Sequence, residues 1–155
     1  MQLVELKQYI ENDTDKVIIN TMIKDEPSVL NKFIINVICD LLEGINLGEE
    51  YKINARNNIN SYDEKSIGEV GTYVSLIPYV QSALKNNKDG YVITSTFIEM
   101  LISYIIGYIK EEEFLINLSN MIKVLQISDK LYNGLISYFS FNKKDIVEGI
   151  NERLK

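Results

Sequence analysis

The chemistry available to this chain is narrow from the outset. Histidine is absent from its 155 residues, and the single cysteine is Cys39. Nucleophilic triads need a base beside the nucleophile, and zinc sites lean on imidazole or several thiolates, so the common hydrolase and zinc arrangements have no parts here. Cys39 lies in an apolar run with no histidine to lower its pKa, and the expectation is an unactivated thiol packed as a small core residue. A lone thiol also suits a reducing, cytoplasmic setting.

Carboxylates are the remaining candidates. Asp40 and Glu43 stand three apart on the polar face of one helical stretch, and Asp145 and Glu148 repeat that spacing near the C-terminus. Facing helices with such pairs hold magnesium in helical nucleotide pyrophosphatases, which makes a metal-dependent helical hydrolase one reading. The competing reading is two solvated helix faces, and no basic phosphate-binding set accompanies the acids. Asn87, Asp89 and Gly90 have the look of a calcium loop, but Lys85 and Phe97 stand where its first and last ligands belong. A second partial match at Gly107-Tyr108-Ile109 with Glu113 puts Ile102, Tyr104 and Ile106 at ligand positions. Ile67-Gly68-Glu69-Val70-Gly71 has the glycine spacing of the phosphate-gripping loop of KH domains, yet Glu69 sits inside it. The alternative is that Gly68 and Gly71, with Ser75 one turn on, let two helices approach closely. No Walker loop or dinucleotide fingerprint is present. The chain is therefore expected to be no enzyme and to carry no cofactor and no metal.

Charge is more informative. The net charge is −6. Residues 1–50 hold four lysines (Lys7, Lys16, Lys24, Lys32) against ten acids, whereas residues 51–155 are balanced. An acidic surface repels phosphate, which argues against direct nucleic-acid binding. Residues 128–154 could be taken for a helix-turn-helix with Lys143, Lys144 and Arg153, but Asp145, Glu148 and Glu152 share that surface. Ten tyrosines occur beside no tryptophan. Tyr51, Tyr62, Tyr73 and Tyr79 fall in the middle of the chain, where they suit either core packing or a contact surface. Together these features point to a non-catalytic acidic module that binds a basic protein partner, in the manner of an inhibitor, antitoxin or immunity protein that neutralises a nucleic-acid-handling enzyme. Asp40, Glu43, Glu49, Glu50 and Tyr51 are the expected partner-binding residues. A homo-oligomeric structural or scaffolding protein is the alternative.

The elements that must position these groups read as helices. Two prolines and eight glycines in 155 residues leave few breaks. Helical spacing runs through Leu3, Leu6 and Ile10, then Val17 to Lys24 after a cap at Asn12-Asp13-Thr14. Asp25-Glu26-Pro27 reads as a helix start, and Leu30, Phe33, Ile34, Val37, Ile38 and Leu41 form the stripe that Gly44 closes. Residues 45–65 are weakly patterned, with a short helix from Glu49 to Ile59. Ile67, Val70, Val74 and Ile77 resume the period, which Pro78 should kink or end before Val80 and Leu84. Asn86 to Thr94 reads as a turn and a short extended piece, with a small two-stranded element near Tyr91 to Ile93. Thr96 and Glu99 have capping-box spacing ahead of the apolar run from Phe97 to Ile109, which is too short for a bilayer and reads as a central buried helix. Further helices run from Glu111 to Leu125, from a Ser128-Asp129 cap, and from Asn142 and Asp145. Residues 111–139, preceded by Gly107-Tyr108-Ile109 and containing Gln126-Ile127-Ser128-Asp129, resemble the last helices of tellurite-resistance TerB-like domains, and the resemblance implies a helical fold with an acidic surface. It covers less than a fifth of the chain, and apolar residues replace that family's metal-binding aspartates before Gly107. The expected fold is all-α, a compact single-domain bundle of about seven or eight helices over residues 1–155, with one central apolar helix and no membrane association.

Overall fold

A computed structural model describes the backbone of residues 2–24, 27–44, 47–84 and 88–155, and within these the side chains of all but 27–29, 78–84 and 88. A 3₁₀ helix, Leu3–Tyr9, precedes α1 (Asp13–Lys24), α2 (Pro27–Gly44), α3 (Glu49–Ser61), α4 (Glu64–Leu84), α5 (Lys88–Ile105), α6 (Glu111–Leu125), α7 (Asp129–Phe141) and α8 (Lys143–Arg153). Among the described residues there is no strand, and no helix is long and apolar enough to cross a membrane. The expected all-α bundle is thus what the chain forms, one short 3₁₀ helix and eight α-helices in all among the described residues.

Local chemistry explains most boundaries. The Asn12 side chain accepts the Asp15 N–H at 2.7 Å, Asp63 accepts that of Ser66 at 2.7 Å, and Ser128 accepts that of Leu131 at 3.1 Å. Each satisfies an N–H that the first helical turn leaves without a carbonyl. Three glutamates open α6 and Lys123 lies in its last turn, matching the helix dipole at both ends. Gly107 ends the apolar helix at φ +89°, a value that glycine reaches without a Cβ penalty. The Tyr108 N–H then turns back to the Ser103 carbonyl at 2.7 Å.

Several expectations need correction. Residues 91–93 are helical, because α5 begins at Lys88 and leaves no room for an extended piece. The Thr96 hydroxyl bonds the Val92 carbonyl at 2.8 Å inside that helix, so Thr96 and Glu99 cap nothing. Asn142 stands at the start of α8, but its side-chain amide donates backward to Tyr138 at 2.9 Å. Helix α4 runs on past Pro78 to Leu84. An interior proline costs about 3 kcal/mol, and the burial of every residue from Ser66 to Ile77 outweighs it. The same burial makes α4 the central helix, whereas α5 exposes Tyr91, Val92 and Glu99. Asp25, Glu26 and Lys85–Asn87, which carry the expected helix start and part of the calcium-like loop, lie outside the described residues, as do the side chains of Tyr79, Val80 and Leu84.

The core is one apolar cluster drawn from all nine described elements. α4 lies against α7 where α4 carries glycine. A Cβ on Gly68 would come within 2.5 Å of the Ile136 carbonyl oxygen, and one on Gly71 within 2.7 Å of the Phe139 ring. Thr72 and Ser75, buried nearby, bond the Gly68 and Thr72 carbonyls of their own helix. The Tyr9 ring covers Gly134 of α7, and Ile35 of α2 fills the space over Gly149 of α8. Asp15 is fully buried, and its carboxylate accepts the N–H groups of Glu11 and Ser128, both at 3.0 Å, and the Ser128 hydroxyl. This ties the N-terminal segment to the start of α7.

Gly68→Ala should destabilise the fold by about 2–3 kcal/mol, because the neighbour that must yield is backbone. For a chain of this length that is a fall in Tm of roughly 4–12 °C. Gly44→Ala, with nothing within 4 Å of its would-be Cβ, should change stability by less than about 0.5 kcal/mol. Thermal melts followed by circular dichroism decide it, and equal Tm values for the two variants would contradict the close-approach account.

Candidate functional site

The five expected partner-binding residues do not behave alike. Asp40 and Glu43, on the last turns of α2, share a cation. The Arg153 guanidinium from the end of α8 bonds Asp40, lies 3.8 Å from Glu43 and donates to the Asn36 side chain at 2.7 Å. Much of the charge of that pair is therefore met within the molecule. Asp145 and Glu148 do not join it. Glu148 lines a separate groove of about 450 Å³ with Lys143, Lys144, Glu64 and the exposed Phe141. Among the described residues no three acids, cysteines or histidines group to hold a metal ion, so the magnesium-hydrolase alternative finds no such cluster at the two carboxylate pairs. A guanidinium stands between the first pair instead.

Glu49, Glu50 and Tyr51 open α3 and are exposed. The Tyr51 ring lies 6.4 Å from that of Tyr108, in the turn after α5, and the neighbouring Tyr51 phenol holds that of Tyr108 above its ordinary pKa. Both rings face solvent, Tyr51 at 44% and Tyr108 at 67% exposure. Asn58 lies seven residues beyond Tyr51, two turns along the same side of α3. There it meets Gly107, whose missing Cβ would otherwise sit 2.5 Å from the Asn58 amide.

At that junction a pocket of about 280 Å³ opens between α3, the start of α4 and the α5–α6 turn. Its lining includes Asn58, Tyr62, Asp63, Ser66, Tyr104 and Glu111. Tyr62 stacks on Tyr104 at 5.0 Å, Tyr104 stacks on Phe114 at 4.3 Å, and Tyr73 meets Phe114 edge-on at 6.1 Å. The pocket wall is thereby the outer end of an aromatic column rooted in the core. The Tyr62 hydroxyl donates to the Tyr104 carbonyl. Burial pushes the Tyr104 phenol up to about 12. The Ser66 N–H holds Asp63 below its usual carboxylate range, so Asp63 is charged.

Glu69 follows Ser66 by one turn of α4. It is 2% exposed, and its Oε2 has no hydrogen-bond partner among the described residues. Burial pushes its carboxyl up to about 7; Lys65 opposes the shift, while Glu111 and Asp63 add to it. Cys39 is fully buried, and burial raises its thiol to about 11, so it stays the inert core residue that its apolar context implies.

Of the four tyrosines that suit either core packing or a contact surface, Tyr51 is exposed, Tyr62 is half-buried, Tyr73 is in the core and the Tyr79 side chain lies outside the described residues; sequence reasoning missed Tyr108, Tyr104, Asp63 and Glu111. The available signal was the Asp63-to-Ser66 capping spacing and the helix-ending glycine at 107, which together bring two chain turns to one place. No protein-family model matches the chain, and neither does any curated protein or solved structure. The stretch that resembles TerB-like domains forms α6 and α7 and finds no family support.

Two measurements test this electrostatic picture. A carboxyl whose pKa is raised on folding binds more protons in the native state between about 4.5 and 7, so its contribution to stability falls as pH rises through that window and levels off above it. Glu69→Gln should therefore be close to neutral at low pH and stabilising above pH 7, by an amount on the order of 2 kcal/mol. A variant-minus-wild-type Tm difference that does not grow with pH would contradict the burial of an unpaired carboxyl. Cys39 should react with a thiol reagent only as fast as the protein unfolds, and rapid native-state labelling would show the thiol to be accessible.

Proposed function

We propose that this protein is a non-catalytic acidic binding module that engages a basic protein partner, as an inhibitor, antitoxin or immunity protein does when it neutralises a nucleic-acid-handling enzyme. One observation carries the reading: Tyr51 and Tyr108 pair in the open beside the exposed Glu49 and Glu50. Tyrosine offers a broad contact at low entropic cost, and exposed aromatic side chains surrounded by polar groups are where binding energy concentrates. Acids beside them steer a basic partner and repel phosphate. The first-named contacts, Asp40 and Glu43, move to the margin of this reading because Arg153 already meets them. Glu49, Glu50 and Tyr51 remain at its centre, with Tyr108 added.

The self-associating alternative keeps a footing in the exposed Val17, Val92, Ile116 and Phe141, and solution mass by light scattering separates it from a monomeric binder.

The test is capture from host lysate at low and high salt, with three baits checked for equal helicity and Tm. The wild-type chain should retain a basic protein that salt releases. Glu49→Lys/Glu50→Lys should retain it far less at low salt, and Tyr51→Ala should weaken it roughly 30-fold, the cost of losing a central aromatic contact of about 2 kcal/mol. Equal retention on all three baits overturns the proposal.

A further inference from the structure

We propose that the pocket between α3, α4 and the α5–α6 turn receives the cationic end of a lysine or arginine side chain that the partner protein presents. This rests on the reading of the chain as a binder of a basic protein. Size selects the guest first. At about 280 Å³ the pocket lies below the usual range for drug-sized ligands, yet it has room for a single side-chain end. Charge selects it next. Asp63 and Glu111 line the pocket, and no lysine or arginine does. Lys65 and Lys143 lie within electrostatic reach of Asp63 without lining it.

The polar lining is rich in acceptors: two carboxylates, the Asn58 amide oxygen and the Tyr62 and Tyr104 phenols. That suits a guest made of N–H donors, which lysine and arginine are and an anion is not. A bare divalent ion is a poorer fit, because it asks for six or more oxygen ligands and two carboxylates begin to supply only a few. Glu69 lies close by without lining the pocket. It shares a face of α4 with Ser66 of the lining, is almost wholly buried, and leaves Oε2 without a partner. A cation held between Asp63 and Glu111 would offset the two charges that help keep Glu69 protonated, and so favour its charged form.

The wall is built to hold its form without the guest. Tyr62 and Tyr104 are stacked on one another and on Phe114, and the Tyr62 hydroxyl is tied to backbone. Gly107 closes the rim at a backbone angle that other residues avoid. A preformed cavity loses little entropy on binding, so even one side chain can register.

The experiment titrates the full-length protein with N-acetyl-arginine amide and N-acetyl-lysine amide at low salt, following backbone amide signals by NMR. The amide of citrulline, which keeps the shape of arginine and lacks its charge, is the control. Saturable shifts centred on Ser66, Gly107 and Glu111 with either cationic amide, half-complete on the order of 1 mM, support the pocket. Asp63→Asn and Glu111→Gln should each weaken that binding roughly tenfold. Asparagine still caps α4 at position 63, so that variant removes charge without unpinning the helix. No saturable shift with either cation, or equal shifts with citrulline amide, overturns the proposal. Glu49→Lys/Glu50→Lys leaves the pocket lining untouched and keeps the two ideas apart. Loss of partner capture in that variant while wild-type protein ignores both amides overturns the pocket alone. Amide binding with no specific capture by any bait overturns the broader reading, and with it the assignment of the guest to a partner protein.

Discussion

The bundle depends on two helices that touch through missing side chains. α4 and α7 meet where α4 has glycine at 68 and 71, close enough that a single methyl would strike a carbonyl oxygen or a ring. Ridge-and-groove packing normally keeps helix axes 8–10 Å apart, with side chains in between. Here the spacer is removed on one side, and Ile136, Phe139 and Ser140 of α7 fill the gap. A central helix held this tightly tolerates an interior proline and two buried hydroxyls without losing its course. The other helices then have a fixed post to pack against.

The surface features inherit their positions from that post. Asp63 caps α4, so the rim of the pocket is set by where the central helix begins. Tyr104 and Phe114 stack beside Tyr73, which α4 carries into the core. The outer aromatic wall is thus continuous with the inner one, and its rigidity comes from packing rather than from a web of hydrogen bonds. Gly107 performs the complementary task. It ends α5 at an angle that lets Tyr108 swing outward to meet Tyr51 and leaves Asn58 room to sit against the turn. A loop residue of ordinary geometry at that point would separate the two tyrosines.

Much of this was legible in the residues, and the failures have physical causes. Periodicity located α2, α6, α7 and α8, although the buried face of α2 is turned from the expected stripe, exposing Phe33 and burying Cys39 and Leu42. The glycine pair at 68 and 71 was correctly open to a helix-contact reading, since glutamate between two glycines makes a poor phosphate grip. Residues 88–94 misled because Asp89-Gly90 is a strong turn signal, while Tyr91, Val92 and Ile93 favour strands on propensity alone. Packing of the following apolar segment extended the helix back over both. The choice of central helix failed for a related reason. Residues 97–109 are more continuously apolar than α4, but hydrophobic content says nothing of how many sides of a helix are covered. The proposed acidic surface was half legible. Local charge drew attention to Glu49 and Glu50, which the structure leaves exposed, whereas the bond from Arg153 to Asp40 joins residues 113 apart in the chain. No local pattern carries that information.

The distance along the chain between partners also dictates when the fold can form. Two of the three hydrogen bonds to the Asp15 carboxylate come from Ser128, 113 residues later, and Tyr9 rests on a glycine of α7. The central α4 likewise waits for α7 to cover its glycine face. Synthesis runs from the N-terminus, so for most of translation the nascent chain carries an aspartate without its serine and a central helix bare along one side. The first two-thirds of the polypeptide lacks the partners that cover the α4 glycines and complete the bonds to Asp15. These particular contacts can close only once residues 128–141 have left the ribosome. A chain cut short before them would expose the apolar face of α4 to whatever else is present in the cell.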